Sequence, residues 1–303
     1  MASAREAPAP RALWPSEKLI IANSIIVVCL LGAAARDDAR ALLYIAAHVA
    51  AAGMLLALAG NSSGVWGFLR HWFGLIYLPL CYKEVPYLVA ALRLQPADFT
   101  LANWDLIMWR VDPVFRLSAP QMPALVELLQ AVYALFIPGV LGLAILLWWR
   151  KSREEFRYGA FLLVATFLIS YLGYLFFPAR GPRFMPYAAF HPALHGLWTF
   201  DFLQGLLDSL EGVQYDCFPS GHVAVVLVGC YIARQISGRV FYAFSVFAAL
   251  ITFSTVYLRY HYVIDVIAGI ALAISLMAAA PWIYRRLGSQ APAEAEPTPP
   301  ASA

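Results

Sequence analysis

Apolar residues of this chain are concentrated in long runs rather than in the short alternating patterns of strands. A helix needs roughly 20 predominantly apolar residues to cross the hydrocarbon core of a bilayer. Eight runs approach or reach that length: 19–35, 41–60, 72–92, 125–149, 157–177, 221–236, 239–257 and 262–284. The pattern therefore predicts an all-α, polytopic transmembrane helical bundle of about eight spans.

The segments between these runs have their own characters. Residues 93–124 have the amphipathic look of a helix that lies in the membrane interface. Residues 178–220 form the longest loop and are rich in proline, glycine and aromatic residues. We expect three regions: a cytoplasmic N-terminal segment (1–18), a membrane domain (19–287) and a disordered Ala/Pro-rich tail (288–303). The N-terminus lacks a signal-peptide pattern, so we expect the first run to remain a transmembrane helix.

Composition supports lipid as the surrounding solvent. Of the residues, 62% are hydrophobic and 13% are charged, whereas a soluble domain carries roughly a quarter charged residues. The net charge of +3 and the absence of a basic stripe argue against a nucleic-acid partner. The 4 cysteines are widely spaced without a CxxC pair, which argues against a zinc site or a disulfide framework.

The distribution of lysine and arginine predicts the orientation. These residues cluster before span one, between spans two and three, four and five, and six and seven, and after span eight. All of these segments share one side if both termini are cytoplasmic, as the positive-inside rule requires. The loop 178–220 would then face the periplasm or extracellular space from the inner (plasma) membrane.

Three segments that carry reactive residues are brought to this same outer face by the predicted topology. They are residues 177–183 after span five, 218–222 at the start of span six, and 257–265 at the turn into span eight. Segments that are distant in sequence therefore converge on one surface.

His261 and Asp265 are four residues apart, so on a helix they share one face with Cβ atoms about 5–6 Å apart. A carboxylate in that position fixes the tautomer of the imidazole and leaves the other ring nitrogen as a base or nucleophile. An isolated pair of this kind is equally consistent with a structural pair that caps a helix.

Ser220, Gly221 and His222 stand at the start of a predicted helix. Free backbone N–H groups and the positive end of the helix dipole suit a phosphate there, and Gly221 allows close backbone approach to an anion. His222 could then protonate a leaving oxygen. The alternative is an ordinary serine N-cap beside a boundary histidine.

Arginines and further polar residues lie near these segments. Arg180 and Arg183 could stabilise phosphoryl oxygens, or they could be snorkelling side chains at a membrane edge. Lys83 and Glu84 lie inside the third span, where charged residues are functional candidates; Glu84 could hold a substrate hydroxyl or pair with another residue. Residues of the outer loop that could shape a headgroup pocket are His191, His195 and Asp216.

With these motifs the chain resembles the type 2 phosphatidic acid phosphatase superfamily, whose motifs are Lys-x6-Arg-Pro, Pro-Ser-Gly-His and Ser-Arg-x5-His-x3-Asp. Residues 219–222 match the second motif in full, and His261 with Asp265 matches the spacing of the third. The resemblance implies that the catalytic core lies in the C-terminal half. By that similarity His261 would be a phosphohistidine-forming nucleophile oriented by Asp265, and His222 would serve as acid and then base.

The chain also departs from the superfamily pattern. Thr255 stands where the third motif has arginine, and the first motif lacks its lysine. These changes resemble the branch that contains inositol phosphorylceramide synthases, as do Trp104, Glu127 and Tyr133 in segment 98–137. Arg259 would either replace the missing arginine and bind the phosphate or meet lipid headgroups.

The resemblance implies a metal-independent phosphotransferase or phosphatase that needs no cofactor. Its substrate would be a lipid phosphate or phosphodiester, and its acceptor an alcohol such as inositol, or water. Alternatives are a polyprenyl pyrophosphate or phosphatidate phosphatase, a catalytically inactive binding relative, and a lipid or solute carrier with a histidine proton relay. A soluble vanadate-type haloperoxidase is disfavoured by the apolar composition.

Overall fold

The computed structural model describes residues 12–34, 38–61, 63–212 and 215–288. Within those ranges the chain is helical and contains no β-strand. Two short 3₁₀ helices span Pro182–Phe184 and Pro186–Phe190. The α-helices are α1 (Pro15–Ala34), α2 (Ala39–Leu58), α3 (Gly64–Ala91), α4 (Asp98–Trp109), α5 (Pro113–Leu117), α6 (Pro123–Ala134), α7 (Phe136–Arg150), α8 (Arg153–Phe176), α9 (Phe200–Glu211), α10 (Gly221–Ile236), α11 (Gly238–Tyr257) and α12 (Val263–Arg286).

The predicted all-α polytopic membrane bundle is confirmed. In the described part of the chain, five helices are long and apolar enough to cross a membrane, namely α1, α2, α8, α11 and α12, and a sixth span arises if α6 and α7 are counted together. The other two predicted runs correspond to α3 and α10. Polar residues along α3 lower its apolarity, and α10 has only 16 residues. The protein is an integral membrane protein.

The predicted run 125–149 is one continuous apolar segment in sequence but two helices in the structure. The axes of α6 and α7 are bent by 46° at a break next to Leu135. Pro138, in the first turn of α7, has no N–H to donate to the carbonyl of Ala134, the last residue of α6. The break places the aromatic residues of this segment beside the histidines.

Two predicted non-helical or interfacial segments contain more structure than expected. The segment 93–124 holds two helices, α4 and α5, instead of one. The segment 178–220 contains α9 and both 3₁₀ helices. The predicted disordered tail falls, from residue 289 onward, outside the described residues, as do residues 1–11 of the N-terminal segment.

The centre of the bundle is formed by α8 and α10. Residues 160–168 of α8 and 221–226 of α10 are buried without interruption, as expected for helices that are apolar on every face. Gly269 of α12 allows this centre to close, because a Cβ there would lie 2.6 Å from the carbonyl oxygen of Ser220. The start of α10 is therefore pressed against α12.

Candidate active site

His261 lies in the turn between α11 and α12, with only 2% of its surface exposed. Its Nδ1 is 3.0 Å from the carbonyl oxygen of Cys217 and 3.5 Å from Oδ2 of Asp265. Both neighbours are acceptors, so Nδ1 carries the hydrogen and Nε2 keeps the lone pair. Nε2 lies 3.3 Å from Nδ1 of His222. The carbonyl of Cys217 and the carboxylate of Asp265 therefore select the tautomer with an unprotonated Nε2.

Asp265 serves the start of α12 and the orientation of His261 at the same time. Its Oδ2 accepts the backbone N–H of Tyr262 at 2.8 Å, which caps the helix. Its carbonyl oxygen accepts the N–H of Ser220 at 3.0 Å and so joins the two motif segments. Among the residues that the structure describes, no group hydrogen-bonds to its buried Oδ1.

His222 lies in the first turn of α10 and is enclosed by aromatic rings. The ring of Tyr133 stacks on it with centroids 4.7 Å apart, and the centroid of Phe136 is 4.4 Å away. These two residues flank the break between α6 and α7. The bend in this segment therefore forms one wall of the histidine site.

The start of α10 is held by its neighbours. The Oγ of Ser220 accepts the N–H of Val223 at 3.4 Å, so the serine is the N-cap. A Cβ on Gly221 would lie 2.4 Å from the hydroxyl oxygen of Tyr174 in α8, and a side chain at this position would collide with it. Of the amides at this end of the helix, those of Ser220 and Val223 already have partners within the chain.

Two buried carboxylates of α4 hold the motif segments from the side. Asp98 accepts the N–H of Arg180 at 3.0 Å, the N–H of Gly181 at 2.9 Å, and the hydroxyl of Tyr262 at 3.1 Å. One carboxylate thus fixes both the loop after α8 and the residue next to His261. The backbone at Gly181 requires a glycine, because its φ of 101° lies in the left-handed region and a Cβ would lie 2.5 Å from the carbonyl oxygen of Tyr260.

Asp105 lies two turns further along α4 and caps α12 from outside. Its two oxygens accept the N–H groups of Val263 and Ile264, each at 2.8 Å. Burial raises the pKa of Asp105 to about 6, although these two amides act in the opposite direction. Charge-assisted bonds of this kind are stronger than neutral ones, so Asp105 positions the turn that carries His261 and Asp265.

Asp98 and Asp105 were not among the site residues predicted from the sequence. Their spacing of seven places them on one face of a helix, and both are buried. That spacing was the available signal. It could be interpreted only with the knowledge that this face is turned toward the start of α12.

Arg180 and Arg183 lie beside the histidine site but have different surroundings. The guanidinium of Arg180 lies 4.6 Å from the centre of the Phe184 ring, and its buried Nε has no hydrogen-bond partner among the described residues. Arg183 donates to Asp208 of α9 at 2.7 Å and lies 4.6 Å from the centre of the Tyr260 ring. Arg180 therefore has a donor available for an anion, whereas Arg183 is paired.

Arg259 is largely occupied by the protein itself. Its Nε donates to Oγ of Ser118 at 2.9 Å and its Nη1 donates to the carbonyl oxygen of Pro192 at 2.9 Å. Its φ of 63° lies in the left-handed region. At the position of the absent motif arginine, the carbonyl oxygen of Thr255 accepts the N–H groups of Tyr260 and His261. Arg259 and Thr255 therefore both stabilise the turn between α11 and α12.

The remaining predicted residues lie around the site rather than in it. Lys83 donates to the carbonyl oxygen of Leu210 at the end of α9, and Asp216 accepts the hydroxyl of Tyr82 at 2.8 Å. Glu84 points into a separate cluster, where its Oε2 lies 2.6 Å from Nε2 of His48. His191 stacks on Phe115 with centroids 4.1 Å apart, and His195 is exposed.

One group of side chains at the site could hold a metal ion. A sulfur of Cys217, a ring nitrogen of His261 and a carboxylate oxygen of Asp265 lie within 4.8 Å of one another, and all three residues are buried. Thiolate, imidazole and carboxylate are ligands that zinc accepts. Coordination would use Nδ1 of His261, so at this nitrogen a metal and the hydrogen described above are alternatives.

Comparison with known proteins agrees with this geometry. The chain is 31% identical to a phosphoinositol dihydroceramide synthase of Bacteroides thetaiotaomicron over 157 residues, which cover 47% of this chain and 51% of that protein. It is 28% identical to a PA-phosphatase related-family protein of Dictyostelium discoideum over 114 residues, or 37% of this chain and 21% of that protein. The matched regions thus span about half or less of each relative. No solved structure matches significantly.

The family match covers the second half of the bundle and includes both histidines of the site and the carboxylate that contacts His261. Residues 107–279 match the PAP2 superfamily, and this range contains His222, His261 and Asp265. It begins after Asp98 and Asp105, so the two clamping carboxylates lie outside the matched region. With the motif residues assembled as described, and with the match extending over more than half of the chain, this protein belongs to the PAP2 superfamily.

Proposed function

We propose that this integral membrane protein cleaves a lipid phosphate or phosphodiester through a phosphohistidine on His261 and passes the phosphoryl group or phospho-headgroup to an alcohol or to water. Membership of the family supports a lipid phosphatase or phosphotransferase of the PAP2 type. The single observation that carries the mechanism is the contact between Nε2 of His261 and Nδ1 of His222 at 3.3 Å. A nucleophile and a proton donor are thereby adjacent.

In the first half-reaction, the lone pair of His261 Nε2 attacks phosphorus and the bond from phosphorus to the leaving oxygen breaks. His222 enters this step as the imidazolium, gives one ring proton to that oxygen and becomes neutral. The hydrogen on Nδ1 of His261 remains between the Cys217 carbonyl and Asp265, which balance the positive charge that develops on the phosphorylated ring. The free donor of Arg180 meets the equatorial phosphoryl oxygens, with Arg183 nearby.

In the second half-reaction, the hydroxyl of an acceptor attacks the phosphohistidine and the bond from phosphorus to nitrogen breaks. His222, now neutral, takes the proton of that hydroxyl, which restores both histidines. Hydrolysis and transfer differ only in the acceptor. The printed name of the Bacteroides relative combines phosphoinositol with dihydroceramide, which favours transfer between lipid and alcohol for this chain as well.

The proposed substrate is a lipid because the site lies at one end of a bundle whose sides are apolar. We propose that this end faces the periplasm or extracellular space and that both termini are cytoplasmic. The support is the concentration of lysine and arginine in the segments at the opposite end. A phosphatidate or polyprenyl pyrophosphate phosphatase remains the second candidate, favoured by the name of the Dictyostelium relative.

The test is an activity assay on the purified full-length protein in detergent. The panel contains lipid phosphates and pyrophosphates, with release of phosphate as the readout, and phosphodiester lipids with inositol, with transfer product as the readout. We compare the wild type, His261→Ala, and His195→Ala, which removes an exposed histidine as the matched control. We expect turnover in the wild type and in His195→Ala only.

A chelator arm addresses the donor set of Cys217, His261 and Asp265. The proposed mechanism predicts that turnover persists after treatment with chelator, because Nδ1 of His261 carries a hydrogen. Turnover that survives in His261→Ala would refute the proposed nucleophile. Turnover that is abolished by chelator and restored by zinc would replace the phosphohistidine with a metal mechanism.

A further inference from the structure

The helix α9 exposes an apolar stripe although it is not a membrane span. Phe202, Leu206 and Leu210 are exposed to 69%, 41% and 60%, and Trp198, just before the helix, is exposed to 85%. The residues are spaced by four, which places those of the helix on one side of it. An exposed row of large apolar side chains marks a surface that binds something apolar.

The other sides of α9 have different chemistry. Phe200 is buried, and Leu207 packs with it against a cluster that includes Val126 and Tyr257. Asp201 and Asp208, on a third side, are exposed. The helix therefore has a protein-facing side, a polar side and an apolar side, which is the pattern of a helix that lies in the plane of a membrane interface.

Contacts at both ends and in the middle hold α9 against the membrane helices. Glu127 of α6 accepts the backbone N–H groups of residues 197–200 and so caps its start. At its other end, Lys83 of α3 donates to the carbonyl oxygen of Leu210, where a cation is favourable. Between them, Asp208 pairs with Arg183 at 2.7 Å.

These contacts also define the depth of the helix. Glu127 lies one turn inside α6, and Lys83 lies about two turns from the end of α3. Because the partners stand within the apolar runs and not beyond them, α9 lies beside the ends of the bundle. Leu128, the neighbour of Glu127 on α6, is 53% exposed, so the apolar stripe continues the lipid-facing surface of the bundle.

We propose that α9 is an interfacial helix whose stripe of Trp198, Phe202, Leu206 and Leu210 rests in the leaflet on the side of the active site. The occupant of the stripe is membrane lipid, because the stripe is continuous with surface that must already face lipid. The Asp208–Arg183 pair then connects this interfacial helix to the loop after α8, which also carries Arg180. This inference goes beyond the proposed reaction and does not depend on it.

The test is spin-label accessibility in phosphatidylcholine/phosphatidylglycerol nanodiscs. In a Cys29→Ser background, which removes the exposed native cysteine, nitroxide is attached to Phe202→Cys and Leu206→Cys on the stripe. Asp201→Cys and Asp208→Cys provide matched controls on the polar side of the same helix. The measurements are relaxation by oxygen, which concentrates in lipid, and by a water-soluble nickel chelate.

We expect relaxation by oxygen to exceed relaxation by nickel at 202 and 206, and the reverse at 201 and 208. Nickel access at all four positions would overturn the proposal, because the stripe would then be in water. Exclusion of both reagents at 202 and 206 would also overturn it, because a protein partner would then cover the stripe. Two positions on each side keep the comparison valid if one variant fails to fold. No step requires catalytic activity, so the outcome is separable from that of the activity assay.

Discussion

Among the described residues, the bundle contains two buried pairs of a histidine with a carboxylate, and they differ in what surrounds them. His261 and Asp265 lie at one end of the bundle, where Nε2 of the histidine faces His222. His48 and Glu84 connect α2 with α3, with Nε2 of the histidine 2.6 Å from the carboxylate. Both pairs are almost completely buried, so burial alone does not identify the reactive one.

The pair of His48 and Glu84 belongs to a closed network. Nδ1 of His48 lies 2.8 Å from the hydroxyl of Tyr77, which is 2.9 Å from Oγ of Ser24 and accepts the amide of Asn23 at 3.1 Å. Both ring nitrogens of His48 therefore have partners: Nδ1 contacts side chains of α1 and α3, and Nε2 contacts Glu84 of α3. This ring joins the helices, and both of its nitrogens face side chains of the same network rather than a second histidine.

The pair of His261 and Asp265 is open at its carboxylate: both ring nitrogens of His261 have contacts, but one carboxylate oxygen of Asp265 has none among the described residues. One ring nitrogen is committed to the backbone and the carboxylate, the other faces a second histidine, and Oδ1 of Asp265 has no partner in the described part of the chain. An uncompensated buried group of this kind is costly. The comparison teaches that the histidine proposed to react is the one that faces a second histidine and whose carboxylate partner keeps an oxygen without a hydrogen bond among the described residues.

The largest expected effect on activity distinguishes His261 from His48. Replacement of the nucleophile in His261→Asn should lower kcat by on the order of 10⁴-fold or more, because attack and covalent transfer are both lost. His48→Asn should retain activity per folded molecule. Radiolabelled substrate, quenched in alkali and resolved on a gel, should label the wild type and His48→Asn but not His261→Asn. Label on His261→Asn would show that another residue is the nucleophile.

A second prediction concerns the proton donor. His222→Ala should lower kcat by about 10²–10⁴-fold on a lipid substrate, since the leaving oxygen must then depart without a proton. A substrate with an acidic leaving group, such as a p-nitrophenyl phosphodiester, needs less protonation and should lose much less. Rates for both substrates, measured side by side, check this. Equal losses would mean that His222 shapes the site without donating a proton.

A third prediction extends the comparison to the clamp on α12. Asp105→Asn replaces one of the two acceptors of the Val263 and Ile264 amides with an NH₂ group that cannot accept them. A displacement of 1 Å in the catalytic turn can cost up to about 10²-fold, so kcat should fall toward that limit while KM stays similar. The exposed Asp201→Asn is the matched control and should change neither quantity. A rise in KM alone would assign Asp105 to substrate binding.

The sequence predicted the helical bundle and the convergence of the three motif segments, because both depend on local spacing. Apolar runs of span length can be counted, and the four-residue interval between His261 and Asp265 is visible without a structure. The functional roles of all the predicted site residues stay predictions. Their contacts now show which of them have free donors: Arg180 has one at its buried Nε, whereas two donors of Arg259 are engaged.

Long-range backbone contacts could not be predicted in the same way. The carboxylates of Asp98 and Asp105 bind amides that are more than 80 residues away, and no local pattern specifies such a partner. The helix α9 was missed because loop composition, rich in proline and glycine, dominated the segment 178–220. Its apolar residues recur every four positions, but its start depends on Glu127, some 70 residues earlier.

The smallest effect on activity is expected from substitutions in the pair of His48 and Glu84, which should instead lower the stability of the protein. Glu84→Met leaves Nε2 of His48 buried without an acceptor, which should cost at least about 2 kcal/mol and lower the thermal midpoint in detergent. Replacing both partners, as in His48→Leu with Glu84→Met, removes the unsatisfied group and should recover part of that loss, since Tyr77 keeps Ser24 and Asn23 as partners. Activity per folded molecule should be close to that of the wild type in both variants. If Glu84→Met instead lowered kcat/KM without a change in the thermal midpoint, Glu84 would be a substrate contact, and the difference between the open and the closed pair would no longer explain which histidine reacts.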